Sequence, residues 1–236
     1  MKRRGFTLIE LMIVIAIIAV IAAIAIPGLL ASQRASNERN ASTSLKTLTA
    51  AQADFRANDR DGNHVNDFWT ADVKGLYTMT SCTVPGNKND STDPAIKLIE
   101  LSIASADADP ALSKAGGENC DLSTFAISSS KAGHWYNALV SDAGTTGLEA
   151  TYQQDTGGTV TMGSVHNLWR FAFIAWPESM NAGKYIYLID ENNTIYRSAT
   201  TSSLRPAPTS PPGVLGAPYD TFPASASLKS YWSKLD

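Results

Sequence analysis

Cysteine and histidine are scarce in this chain of 236 residues, with two of the first and three of the second. His64, His134 and His166 stand in unrelated contexts, and no GxSxG, P-loop, HExxH or paired CxxC string accompanies them. The residues that usually carry nucleophilic, phosphate or zinc chemistry are therefore not assembled, and the chain does not read as an enzyme. A basic surplus is missing too. Lys and Arg number 19 against 22 Asp and Glu, for a net charge of −3, which leaves no nucleic-acid footprint. No internal repeat is present, so a solenoid is not indicated. The five tryptophans alternate with apolar residues and read as sheet and core packing.

One feature is present in excess. Leu11 to Ile26 is an unbroken apolar run, extended at its start by Phe6, Leu8 and Ile9. A membrane-spanning helix needs about 20 mostly apolar residues, so 6–27 is long enough. Lys2, Arg3 and Arg4 precede it, and the positive-inside rule keeps such a cluster in the cytoplasm. The polar remainder is then translocated. In an ordinary signal peptide the small cleavage residue follows the apolar core, whereas here Gly5 precedes it. Glu10 lies inside the apolar stretch, where an acid costs about 2.5 kcal/mol or more at mid-membrane. Composition alone leaves two readings open: a functional carboxylate, or a plain signal anchor tolerating an acid near its edge.

Beyond the run, Pro27 and Gly28 predict a kink, or simply the end of the span. Helix resumes over 28–57, where Leu45, Leu48, Ala51 and Phe55 form a stripe at spacings of three and four. Ser44, Lys46, Gln52 and Arg56 are expected on its other faces. Residues 58–236 form a head. Asp59, Asp61, Asn63 and Asp67, with the Val65 carbonyl, resemble a calcium loop of the DxDGDGxxD kind. His64 stands where glycine is normal and Thr70 where a bidentate glutamate would close the site, so a polar turn with Gly62 as helix cap is the competing reading. Calcium is the one cofactor suggested, and none is required. Cys82 and Cys120 lie in the exported part, where an even count argues for one disulfide worth about 2–4 kcal/mol, or else two separate thiols. The pattern further predicts a capped helix from Asp93-Pro94 to about Ala106 and a strand over 133–141. A three-strand antiparallel meander is expected over 168–176, 184–190 and 194–198. The proline-rich segment 200–223 should hold no regular element, and Tyr231, Trp232 and Leu235 should dock the end of the chain.

Gly5 to Leu11 reads GFTLIEL, which resembles the prepilin-peptidase motif of type IV pilins and type II secretion pseudopilins. The resemblance is tight from Lys2 to about Phe55. It implies removal of the leader 1–5 by a membrane prepilin peptidase and N-methylation of Phe6. It also implies assembly through an inner-membrane platform into a filament with copies of itself and other pilins. Pro27 is similar in position to a proline of many type IV pilins, around which the helix bends or melts in the fibre. The new amine at Phe6 would pair with Glu10 of a neighbour, making Glu10 a register device. The implied fold is α+β: a lollipop whose long helix, half membrane and half amphipathic, packs on an antiparallel sheet. The expected location is the inner membrane, N-terminus cytoplasmic, and then an extracellular or periplasmic filament. A pilus subunit leads, a pseudopilin is second, and a membrane-anchored periplasmic binding module is third. The ~180-residue head favours the pilus.

Overall fold

A single helix, α1, runs from Leu8 to Ala57 in the computed structural model, which describes residues 6–60, 65–78, 96–108, 128–144, 152, 167–200 and 221–235. At ~1.5 Å per residue its fifty residues span about 75 Å. The helix passes through Pro27 without interruption, although that residue has no N–H to offer the Ala23 carbonyl. Its two halves differ sharply. From Phe6 to Gln33 every residue except Ala22 is exposed. From Ala41 onward one face is buried: Ala41, Leu45, Leu48, Ala51 and Phe55, at spacings of three and four. Ser44 and Gln52 were expected on other faces, yet both are buried beside this stripe. The reason is visible for Gln52. Its Oε1 accepts the Trp69 N–H at 3.0 Å and its amide donates to the Trp69 carbonyl, satisfying a loop backbone that the core would otherwise strand.

The stripe packs on a five-stranded antiparallel sheet. Its strands are β1 (His134–Ala138), β3 (Ala172–Pro177), β4 (Tyr185–Asp190), β5 (Ile195–Ala199) and β7 (Ser233–Leu235), in spatial order β1-β3-β4-β5-β7. The central meander β3-β4-β5 is the one the sequence predicts, with Phe173 opposite Ile189 and Leu188 opposite Tyr196. Successive side chains on a strand point to opposite faces. Phe173, Ala175, Tyr187 and Ile189 join the α1 stripe in one core. Ile174, Trp176, Ile186 and Leu188 face a second core with Leu139, Tyr152 and Phe222. Because both faces are covered, all six residues of β3 are buried.

Several expectations fail locally. Of the helix predicted from Asp93-Pro94 to about Ala106, residues 93–95 lie outside the described residues and 96–106 hold helix only as α3, Leu101–Ala104. Lys97 has φ +49, and the amides of Lys97 and Leu98 bond the carbonyls of Tyr77 and Leu76 in the short helix α2 (Gly75–Thr78), so 96–98 is an irregular segment bracing that helix. Residues 168–171 stay out of β3 because the Asn167 side chain accepts the amides of Trp169 and Arg170, closing a turn. The predicted strand over 133–141 splits into β1 and the two-residue β2 (Ser141–Asp142). That pair runs parallel with β6, Thr221–Phe222, so the end of the proline-rich segment is regular after all, while 201–220 lies outside the described residues. The terminus docks as expected but by pairing. A helix α4 (Ser225–Tyr231) leads into β7, which adds to β5 and places Leu235 against the α1 core. Tyr231 remains exposed. Among the tryptophans, Trp69 and Trp176 are core and Trp169 is 74% exposed.

Candidate functional site

The functional candidate is the exposed half of α1. Phe6 and fifteen large apolar side chains on the helix, from Leu8 through Leu30, are exposed among the described residues. Leaving one such side chain in water rather than burying it costs about 1.5–3 kcal/mol. The half-helix therefore requires an apolar surrounding that the described residues of its head do not supply. It is also the one described helix long and apolar enough to cross a membrane.

Its tip is built by Thr7 and Glu10. Thr7 is the N-cap, in extended geometry at φ −85 and ψ 150. Its hydroxyl accepts the Glu10 N–H at 3.3 Å, and Glu10 Oε2 accepts the Thr7 N–H at 2.9 Å and the Thr7 hydroxyl at 2.6 Å. This reciprocal capping box satisfies donors that an apolar environment would leave bare. The signal was in the sequence, a threonine followed three residues later by glutamate at the head of an apolar run, but reading Glu10 as an intramembrane acid and register device overlooked its capping role. The helix start thus holds Glu10 in the first turn of α1, four residues after Phe6. Both hydrogen bonds fall on Oε2. Phe6 itself is 80% exposed.

Other predicted site residues are distributed differently. Gly5, Cys82 and Cys120 lie outside the described residues, as do His64 and His166. Of the calcium candidates, Asp61 and Asn63 lie outside as well. Asp59 follows the end of α1 with φ +45, Asp67 is buried, and the Val65 carbonyl accepts the Asp67 amide at 3.0 Å. Among the described residues no three His, Cys, Asp or Glu gather as a metal site. His134 is a fully buried residue of β1, and burial lowers its pKa below the usual imidazole value.

Comparison with known proteins bears on the same end of the chain. Residues 1–26 match the prokaryotic N-terminal methylation motif family. The chain is 47% identical over 75 residues to the type IV major pilin protein PilA of Myxococcus xanthus (strain DK1622), an alignment covering 31% of this chain and 34% of that relative. The matched region thus spans about a third of the relative's length. No solved structure gives a significant match. Over its N-terminal region the chain is thus similar to a type IV pilin, and the long helix on an antiparallel sheet is consistent with the α+β lollipop that this resemblance implies.

Proposed function

We propose that this chain is a structural subunit of an extracellular type IV pilus-like filament. It is cleaved between Gly5 and Phe6, methylated at Phe6, and assembled by its N-terminal helix. The observation that carries this reading is a wholly exposed apolar half-helix continuous with a folded head. Such a helix has two apolar destinations, a bilayer before assembly and a bundle of identical helices afterwards. Stacking the helices in the fibre brings Glu10 of one subunit toward the Phe6 amine of another. Each charge then finds a partner where water is excluded, and a wrong register leaves both unpaired. Pro27 and the adjacent Gly28, which has open space around it, give the helix a place to bend or melt in the fibre. The role is mechanical rather than catalytic, and its partners are the prepilin peptidase, the assembly platform and other pilins. A pseudopilus of a secretion system is the rival reading. The similarity to a protein named as a major pilin favours the pilus.

Sheared surface filaments, imaged by electron microscopy and analysed by intact mass, provide the test. The expected result is abundant subunit beginning at a methylated Phe6. A subunit beginning beyond Ala25 would mean ordinary signal-peptide removal and would overturn the proposal. Processed subunit confined to the cell envelope, with no surface filaments, would favour the pseudopilus. Two accessory proposals concern the head. A disulfide joins Cys82 and Cys120, so thiol labelling under denaturing, non-reducing conditions should find neither; labelling of both refutes it. Calcium bound by Asp59, Asp61, Asn63, Asp67 and the Val65 carbonyl should raise the head's melting temperature relative to chelator, and an unchanged melt refutes that.

A further inference from the structure

The stalk helix grips the head just beyond its exposed stretch. Arg34, Asn37 and Glu38 lie on one face of α1, at spacings of three and four. Arg34 donates to the Asn181 carbonyl at 3.3 Å and to its side-chain oxygen at 3.0 Å. Asn37 donates to the Ala182 carbonyl at 3.1 Å, and Glu38 accepts the Lys184 N–H at 2.8 Å. Three helix residues therefore hold the loop between β3 and β4.

That loop is seated on His134. A Cβ added at Gly183 would lie 3.0 Å from both Cε1 and Nε2 of the imidazole, and one at Gly133, where φ is +68, would lie 2.7 Å from the Ala182 Cβ. Only glycine permits so close an approach at these two positions. The ring is fully buried. Its Nδ1 lies 3.2 Å from the Ala132 carbonyl, which requires the proton on Nδ1 and leaves Nε2 a bare acceptor. Among the described residues Nε2 is buried without a hydrogen-bond partner. A second proton would therefore create a charged donor with no acceptor among the described residues, under the closely packed Gly183.

We infer that His134 is an acid-triggered release for the stalk-to-head junction: protonation at Nε2 displaces Gly183 and the 179–184 loop, opening the bonds to Arg34, Asn37 and Glu38. The charged and titratable groups around the ring come from each packed element. Helix α1 offers Arg34 and Glu38, the β3–β4 loop Glu178 and Lys184, and β4 Tyr185 and Tyr187, the last with its ring centroid 6.4 Å away. The approach to β1 offers Lys131, which is paired with Glu100 at 2.9 Å. Burial disfavours the charged imidazole more than the Ala132 carbonyl and Glu38 together favour it, so the folded-state pKa falls below 6.5. The sign follows. The unfolded ring binds its proton near 6.5 and the folded one only at lower pH, so the junction is fully stable above that value and weakens as pH drops below it. The stretch of α1 around 34–38 would then come free of the head in acid, while Ala41 to Phe55 stay in the core, whichever filament the subunit enters.

Amide exchange on the mature full chain in detergent, corrected for intrinsic rates at pH 7.5 and 5.0, tests this. Protection of the Lys184 amide should fall about tenfold in acid relative to β5 amides. His134→Gln should abolish that pH dependence, and Glu38→Gln should retain it. Equal protection at both pH values in the wild type overturns the inference, as does a drop that persists in His134→Gln or vanishes in Glu38→Gln. Should His134→Gln fail to fold, NMR titration of the wild-type imidazole decides. A midpoint below 6.5 that coincides with loss of Lys184 protection supports the release, and a midpoint at or above 6.5 refutes it.

Discussion

The two halves of α1 share one backbone and almost nothing else. Residues 8–30, apart from Glu10, are apolar around the helix and, apart from Ala22, exposed, whereas 41–55 are apolar on one stripe and buried along it. An apolar stripe is matched by a single partner surface, and the sheet face of Phe173, Ala175, Tyr187 and Ile189 supplies it. A helix apolar all round has no solution within one small chain. It must be surrounded, by lipid or by other helices. The contrast separates folding from assembly: substitutions in one half should change stability, and substitutions in the other should change polymerisation.

The sharpest test of that separation is Glu10→Ala. Loss of the acid leaves the Phe6 amines of neighbouring subunits unpaired in the fibre. Filaments should fall to few or none, with normal amounts of processed subunit and an unchanged head melting temperature. Wild-type levels of filament from the variant alone would mean that apolar packing sets the register. In the other half, Leu48→Ala deletes a fully buried side chain. It should cost about 2–5 kcal/mol in denaturant unfolding of the head while leaving membrane insertion intact. A cost below about 0.5 kcal/mol would contradict the stalk's place in the core. Gln52→Leu keeps similar bulk but strips both hydrogen bonds from the Trp69 backbone. About 1–3 kcal/mol should be lost, measured in the same unfolding experiment, and a neutral result would show that the loop finds other partners. Smallest is Thr7→Ala, which removes the N-cap hydroxyl but keeps the Glu10 carboxylate. It should weaken the helix start by about 0.5–2 kcal/mol, read as faster amide exchange in the first turn, while filaments persist. If filaments disappear as in Glu10→Ala, the capping box rather than the charge pair governs assembly.

Much of the architecture was legible because it rests on period and composition. The apolar run, the 45-48-51-55 stripe and the β3-β4-β5 meander each follow from spacing alone. The failures fall where a local pattern met a distant partner. Residues 96–98 carry a helical pattern but pair with 76–77. Strand β3 starts at Ala172 because Asn167 captures the amides before it. Strands β6 and β7 are two and three residues long, too short to show a period, and form because β2 and β5 present open edges.

By itself the sequence determined that the chain has an apolar helical stalk, a peptidase-type N-terminal motif and a polar head with a β meander, since charge order, helical period and alternation are properties of neighbouring residues. Only the tertiary structure decided that Gln52 and Ser44 belong to the interior, that the C-terminus closes the sheet beside β5, and that the β3–β4 loop sits on a buried His134 under the grip of Arg34, Asn37 and Glu38. These depend on which distant surfaces meet, and burial is a property of both surfaces together.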